Sequence, residues 1–312
     1  MQIYFGNISL WAYLPKIFKG IKVKNINLVQ QIPAIILLFI PQIANKVYNM
    51  LDTTMLGNLI ADKSETGFYE SAQKIMRVLI TIATALGTVM VPRMANMFAN
   101  GKKEKITEYL KKSFHFTFLL CFPMIFGIIA TSRDFVPLFF GDGYSKVIIL
   151  MNIISPIVLL IGIANIFGSQ YLLPTKRQKE YTISVLIGIV VNLILNYIMI
   201  NLWQSVGACI ATIISELVVV IVQAHFLKNE INLKELFKIS YVYLFASIIM
   251  FICCMFVRLL CSGFVCLVIQ VIVAVLVYFV ILLIFKNEFL YLLIGTIRKK
   301  LSLKSDITNE KD

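Results

Sequence analysis

The 312-residue sequence places ionisable side chains inside apolar stretches, between Gln42 and Arg93. Lys74 and Arg77 lie about one helical turn apart, and Lys46 sits in the preceding apolar stretch. Such cations suit an anionic ligand, because Arg offers phosphate oxygens a bidentate fork and Lys a point charge. Before the polar turn Asp62-Lys63-Ser64-Glu65-Thr66-Gly67, the residues Gln42, Asn45, Lys46, Asn49, Asp52 and Thr53 recur at helical spacing on one face. After it, Glu70, Lys74, Arg77, Thr81, Thr84 and Thr88 do the same. A Lys, Arg or Asp at the centre of a bilayer costs roughly 2.5–3.5 kcal/mol. The two faces are therefore predicted to line a polar cavity, with Lys46, Asn49, Lys74 and Arg77 as ligand-binding residues.

The acids have two readings each. Asp52 is either the ion-pair partner of Lys46 or a proton or cation site, and Glu70 either pairs with Lys74 and Arg77 or leaves them to a ligand. Glu216, deep in a later apolar stretch beside Thr212 and Gln223, is either a proton carrier with a raised pKa or a hydrogen-bonding group against a neighbouring helix. Asn165, Ser169, Asn192 and Asn196 read as polar contacts between helices.

These residues need helices to position them. The chain is 59% hydrophobic and 14% charged, with a mean hydropathy of +0.87. A soluble domain would be about one quarter charged. The fold class is all-α, a polytopic membrane helix bundle with about eight spans, because the long apolar runs exclude the short alternating strands of a barrel. The spans are predicted at 28–60, 68–98, 113–132, 147–172, 182–203, 206–227, 239–260 and 264–285. The first two exceed the hydrocarbon thickness and are predicted to protrude or tilt.

A cytoplasmic N-terminus puts 21 Lys and Arg on the inner segments, and only Lys63, Arg133, Lys146 and Arg258 on the outer ones. That asymmetry predicts both termini in the cytoplasm. It also explains the net charge of +13 through membrane lipids rather than nucleic acid, since no binding module accompanies it. The six cysteines lack metal or disulfide spacing, and no glycine-rich phosphate loop or triad is present. No cofactor is expected. The longest predicted outer loop, Arg133 to Lys146, is too short for a membrane polymerase or ligase, so the chain is predicted not to be an enzyme. The mixed, basic stretch from Met1 to Lys24 is not expected to act as a cleavable leader.

The run Phe39-Ile40-Pro41-Gln42-Ile43-Ala44 leading to Asp52-Thr53-Thr54-Met55-Leu56-Gly57 resembles the helix that opens the second lobe of bacterial polysaccharide flippases. Gly67-Phe68-Tyr69, Val91-Pro92-Arg93, Asn100-Gly101 and Phe139-Phe140-Gly141-Asp142-Gly143-Tyr144 fit the same pattern. The family is the O-antigen, capsule and exopolysaccharide repeat-unit branch of the multidrug/oligosaccharidyl-lipid/polysaccharide exporter superfamily. The resemblance implies export of undecaprenyl-pyrophosphate-linked oligosaccharide across the bacterial plasma membrane, by two six-helix lobes around a cationic cavity. It divides this chain into a basic connector (1–27), a second lobe (28–227), two additional helices (228–285) and a basic tail (286–312). The first lobe is missing from this arrangement, so the chain reads as a truncated or split member, with that lobe or other export components as partners. The alternatives are a drug or cation antiporter of the same superfamily, and a non-transporting remnant that binds an export complex.

Overall fold

The computed structural model describes residues 50–292 and residue 295, and every regular element among them is helical. Helix α1 covers residues 50–59 and ends where the Lys63 ammonium group donates to the carbonyls of Gly57 and Ile60. A helix's last carbonyls lack partners of their own, so a lysine there closes it. The Asp62 carboxylate then accepts from the Ser64 amide at 2.9 Å and starts α2, Ser64–Ala99. The Ser64 hydroxyl and amide hold that carboxyl below its ordinary range. Glu65, Thr66 and Gly67, expected in a turn, therefore form the first turn of α2.

Helix α3, Lys103–Phe140, contains Pro123 and Pro137 and continues well past the predicted span end. The expected fourteen-residue loop shrinks to Gly141–Tyr144, with Gly141 and Gly143 at φ 86° and 98°. The next span is broken by chemistry legible in the sequence. It comprises α4, Ser145–Ile154, then α5, Ile157–Ala164, and a π-helical segment, Asn165–Leu172. Pro156, which lacks an N–H, stands between α4 and α5.

Six helical stretches among the described residues are long and apolar enough to cross a membrane. One, α6, Gln178–Leu227, has 50 residues; straight, it would run about 75 Å against a hydrocarbon core of about 30 Å. It turns back instead at Gln204, whose φ of 53° and ψ of −130° lie outside the helical region. The halves 178–203 and 205–227 form a hairpin, as the two predicted spans required. A Cβ on Gly207 would lie 1.9 Å from the Met199 carbonyl oxygen, and one on Gly188 would lie 2.3 Å from Val219 Cγ2. Only glycine permits those approaches. At the open end, Arg177 donates across the hairpin to the Phe226 carbonyl at 3.2 Å and ties it to the following loop through Glu230 at 2.7 Å.

A short helix α7, Leu233–Lys238, leads to α8, Ser240–Leu260, and α9, Gly263–Ile284. Both long helices match the predicted spans to within a residue or so. They pack on each other and on α3, and the Asp134 carboxylate on α3 accepts from the Gly263 amide at 3.1 Å. Val271, Ile272, Val275, Leu276 and Phe279 of α9 remain exposed, as lipid-facing residues should. The core has two parts: aromatics Phe114, Phe118, Phe167 and Tyr243 around α3 and α8, and Leu56, Met76, Leu150 and Met151 where α1, α2 and α4 meet.

Candidate functional site

Asp52 is carried by α1 and is 4% exposed. Its Oδ2 accepts from the Tyr69 hydroxyl at 2.7 Å and the Thr212 hydroxyl at 2.9 Å, while Oδ1 accepts from Asn196 Nδ2 at 2.5 Å. Asn196 and Asn192 sit four apart on the first half of α6, and Asn196 Nδ2 also reaches Asn192 Oδ1 at 3.0 Å. Thr212 lies on the second half, and Tyr69 on α2, where Gln73 donates to its oxygen at 2.8 Å. Three neutral donors from three separate strands of chain thus hold one buried carboxylate. Among the described residues, no cation pairs with it.

That arrangement is poised rather than saturated. A threonine hydroxyl has one proton, and Thr212 reaches both Asp52 at 2.9 Å and the Ala208 carbonyl at 2.8 Å. Asn196 Oδ1 and Asn192 Nδ2, both buried, have no partner among the described residues. A carboxylate surrounded by hydroxyl and amide oxygens has the chemistry to take a proton or a monovalent cation.

Beside this cluster opens a cavity of about 770 Å³. Its polar α2 lining is Tyr69, Gln73, Arg77 and Thr81, each four residues from the next, with Ile80 beside them. Of the predicted polar stripe, Arg77 and Thr81 line the cavity, while Tyr69 and Gln73 stand there in place of Glu70 and Lys74. Arg77 lies in the wall, whereas Glu70 and Lys74 are exposed and do not line it. No ion pair joins Glu70 to Lys74 or Arg77 among the described residues. Lys46 and Asn49 lie outside the described residues. Glu216 is half-buried and in the wall, one turn beyond Thr212. Its neighbours Asn165, Ser169, Tyr181 and Gln223 line the same cavity.

Sequence reasoning missed Tyr69, Gln73 and Tyr181, and read Asn192 and Asn196 only as contacts between helices. Asn196 is such a contact, but its partner is Asp52. The aromatic hydroxyls escaped because tyrosine counts with the apolar residues in a periodicity reading. The available signal was the four-residue repeat from Tyr69 to Thr81.

One buried ion pair braces the site from the α2 N-terminus. Glu65, 4% exposed, pairs with Lys146 and accepts from the Ser205 hydroxyl at 2.6 Å and its amide at 3.3 Å. It joins α2, α4 and the α6 turn. Removing one partner of such a group leaves the others unpaired in a low dielectric. Glu65→Ala is expected to cost roughly 1–3 kcal/mol, and Lys146→Ala less, because the Lys146 side chain is 30% exposed. Thermal melting of the detergent-solubilised protein checks this; equal melting of wild type and Glu65→Ala refutes it.

The MatE family profile matches residues 38–198, more than half of the chain. This chain, an all-α membrane helix bundle with a polar cavity, belongs to the MatE family. Among curated relatives, it is 24% identical over 195 residues to the probable low-salt glycan biosynthesis flippase Agl15 of Haloferax volcanii, covering 62% of this chain and 41% of that protein. It is 24% identical over 181 residues to the lipid II flippase MurJ of Bacillus subtilis, covering 54% and 33%. The chain thus spans less than half the length of these relatives. A solved structure of lipid II flippase MurJ in an inward closed conformation superposes with a TM-score of 0.68 at 19% identity, over 90% of this chain and 60% of that one. That likeness establishes the fold.

Proposed function

We propose that this chain supplies the second lobe of a flippase that moves undecaprenyl-pyrophosphate-linked oligosaccharide across the bacterial plasma membrane. The observation that carries the reading is Arg77, a cation in the wall of a cavity otherwise lined largely by neutral groups. Its guanidinium is suited to the pyrophosphate. The names of the relatives Agl15 and MurJ support the same class of cargo. Lys46 and Asn49 complete the proposed headgroup contacts, and Asp52 and Glu216 the coupling groups; Lys74, exposed and off the cavity wall, is left out of the headgroup site. Residues 28–227 form the lobe, 228–285 the two additional helices, and 1–27 and 286–312 the cytoplasmic connector and tail. Alternating access then requires an opposing lobe as partner.

Native mass spectrometry of the purified full chain with undecaprenyl-pyrophosphate-linked oligosaccharide tests the assignment. Arg77→Ala is expected to weaken binding about tenfold or more, and Arg77→Lys less, since a hydrogen bond to a charged group is worth about 1.5–3 kcal/mol. Unchanged binding by Arg77→Ala removes Arg77 from the headgroup site.

A second reading, drug or cation antiport, is favoured by the two carboxylates, Asp52 and Glu216, against one cation in the described wall. Binding of ethidium that falls in Glu216→Gln and persists in Arg77→Ala would select it.

A further inference from the structure

The wall that the π-helical segment shares with α6 differs in chemistry from the one that carries Arg77. It presents the neutral polar groups Asn165, Ser169, Tyr181 and Gln223, with Glu216 beside them on α6. Gln223 is 1% exposed. Its Nε2 donates to the Ser184 hydroxyl at 3.1 Å, and its Oε1 has no partner among the described residues. A buried acceptor left open costs free energy, and this one borders a cavity.

The neighbouring groups are arranged around it. The Tyr181 ring lies over Gly168, where a Cβ would meet ring carbons at 2.6 and 2.8 Å and Gln223 Nε2 at 3.0 Å. Any other residue at 168 would push the ring and the amide away. Among the described residues, the Tyr181 and Ser169 hydroxyls take part in no hydrogen bond. Asn165 is held from behind, its Oδ1 accepting from Gln170 Nε2 at 3.0 Å, and Gln170 is itself fixed by Ser113 at 2.7 Å. Asn165 and Ser169, four apart on the π-helical segment, both line the cavity while Gln170 stays buried. Segments of this kind recur at functional sites.

A flat aromatic face beside an open amide oxygen, an asparagine and two hydroxyls matches a sugar ring, which offers hydroxyl donors and acceptors at its rim and C–H bonds on its face. We infer that Tyr181, Gln223, Asn165 and Ser169 form a hydroxyl-recognition subsite that engages a sugar of the cargo. The subsite rests on the reading of the cavity as a carrier of lipid-linked oligosaccharide. It divides the work: Arg77 takes the charged group that all such cargo shares, and this wall distinguishes one saccharide from another.

The test compares, on the purified full chain, binding of bare undecaprenyl pyrophosphate with the same lipid bearing N-acetylglucosamine, galactose or rhamnose. Wild type is expected to prefer at least one sugar-bearing lipid by about tenfold. Gln223→Met and Tyr181→Leu should erase that preference and leave binding of the bare lipid unchanged, while Arg77→Gln weakens both. Ser169→Ala, a half-buried change with no internal bond to lose, should reduce the preference in a protein that melts as wild type does. No preference for any of the three sugars, or equal loss of both lipids in the Tyr181 and Gln223 variants, overturns the subsite alone. Failure of wild type to bind any of the lipids overturns the cavity reading, and the subsite with it.

Discussion

Replacing Gly207 with alanine is expected to prevent the α6 hairpin from closing. The new Cβ would sit 1.9 Å from the Met199 carbonyl oxygen, 2.3 Å from its carbon and 3.0 Å from the Ile200 nitrogen. All three are backbone atoms, so no side-chain rotation relieves the clash, and the turn would have to be rebuilt. Rebuilding the turn is expected to cost more than the roughly 1–3 kcal/mol typical of an overpacked side chain. Asn196 and Thr212 flank the turn at equal sequence distance, so the failure also dismantles the ring of donors around Asp52. In size-exclusion profiles of a fluorescent fusion, Gly207→Ala should aggregate or fail to accumulate. Gly67→Ala is the control, because nothing lies within 4 Å of its Cβ position. A monodisperse Gly207→Ala protein melting with wild type would contradict the hairpin.

Asp52→Asn should leave the protein folded and lower transport about tenfold or more, the scale set by losing hydrogen bonds to a charged group. The carboxylate accepts at both oxygens, whereas the amide turns one of them into a donor facing a donor. The packing volume is nearly unchanged, so the fold should persist, with stability reduced only by the mismatched hydrogen bond, about 1–3 kcal/mol. The charge is lost as well, so the variant should no longer respond to an imposed sodium or proton gradient. Flipping of a fluorescent lipid-linked oligosaccharide in proteoliposomes, with an opposing six-helix lobe co-reconstituted, gives the measurement. Gradient-dependent flipping at the wild-type rate would take Asp52 out of the coupling.

Long apolar runs dictate their own structure in a bilayer, since every backbone group must bond within its helix. That is why the bundle, the α6 reversal near 203–206 and the α8–α9 pair could be read from residue types alone. Ends were less legible. The span predicted at 113–132 stops short of Arg133, which α3 passes on its way to Phe140, and Glu65 looked like a turn residue because its partners, Lys146 and Ser205, are far away in sequence. The same limit governs the site. Arg77 and Asp52 advertise themselves by charge, but the groups that hold Asp52 are neutral and common in any membrane helix. Only folding brings Tyr69, Asn196 and Thr212 to one carboxylate.

The tightness of the α6 hairpin also has a mechanical meaning. With Gly207 against Met199, Gly188 against Val219 and Ser184 bonded to Gln223, its two halves have no room to slide past each other. They form a single stiff lever, about 35–40 Å from turn to open end. About a third of the way from the turn sit Asn196 and Thr212, gripping Asp52; toward its open end sit Tyr181 and Gln223, on the cavity wall. In the proposed flippase, a displacement at Asp52 would therefore carry the whole hairpin with it, Tyr181 and Gln223 included.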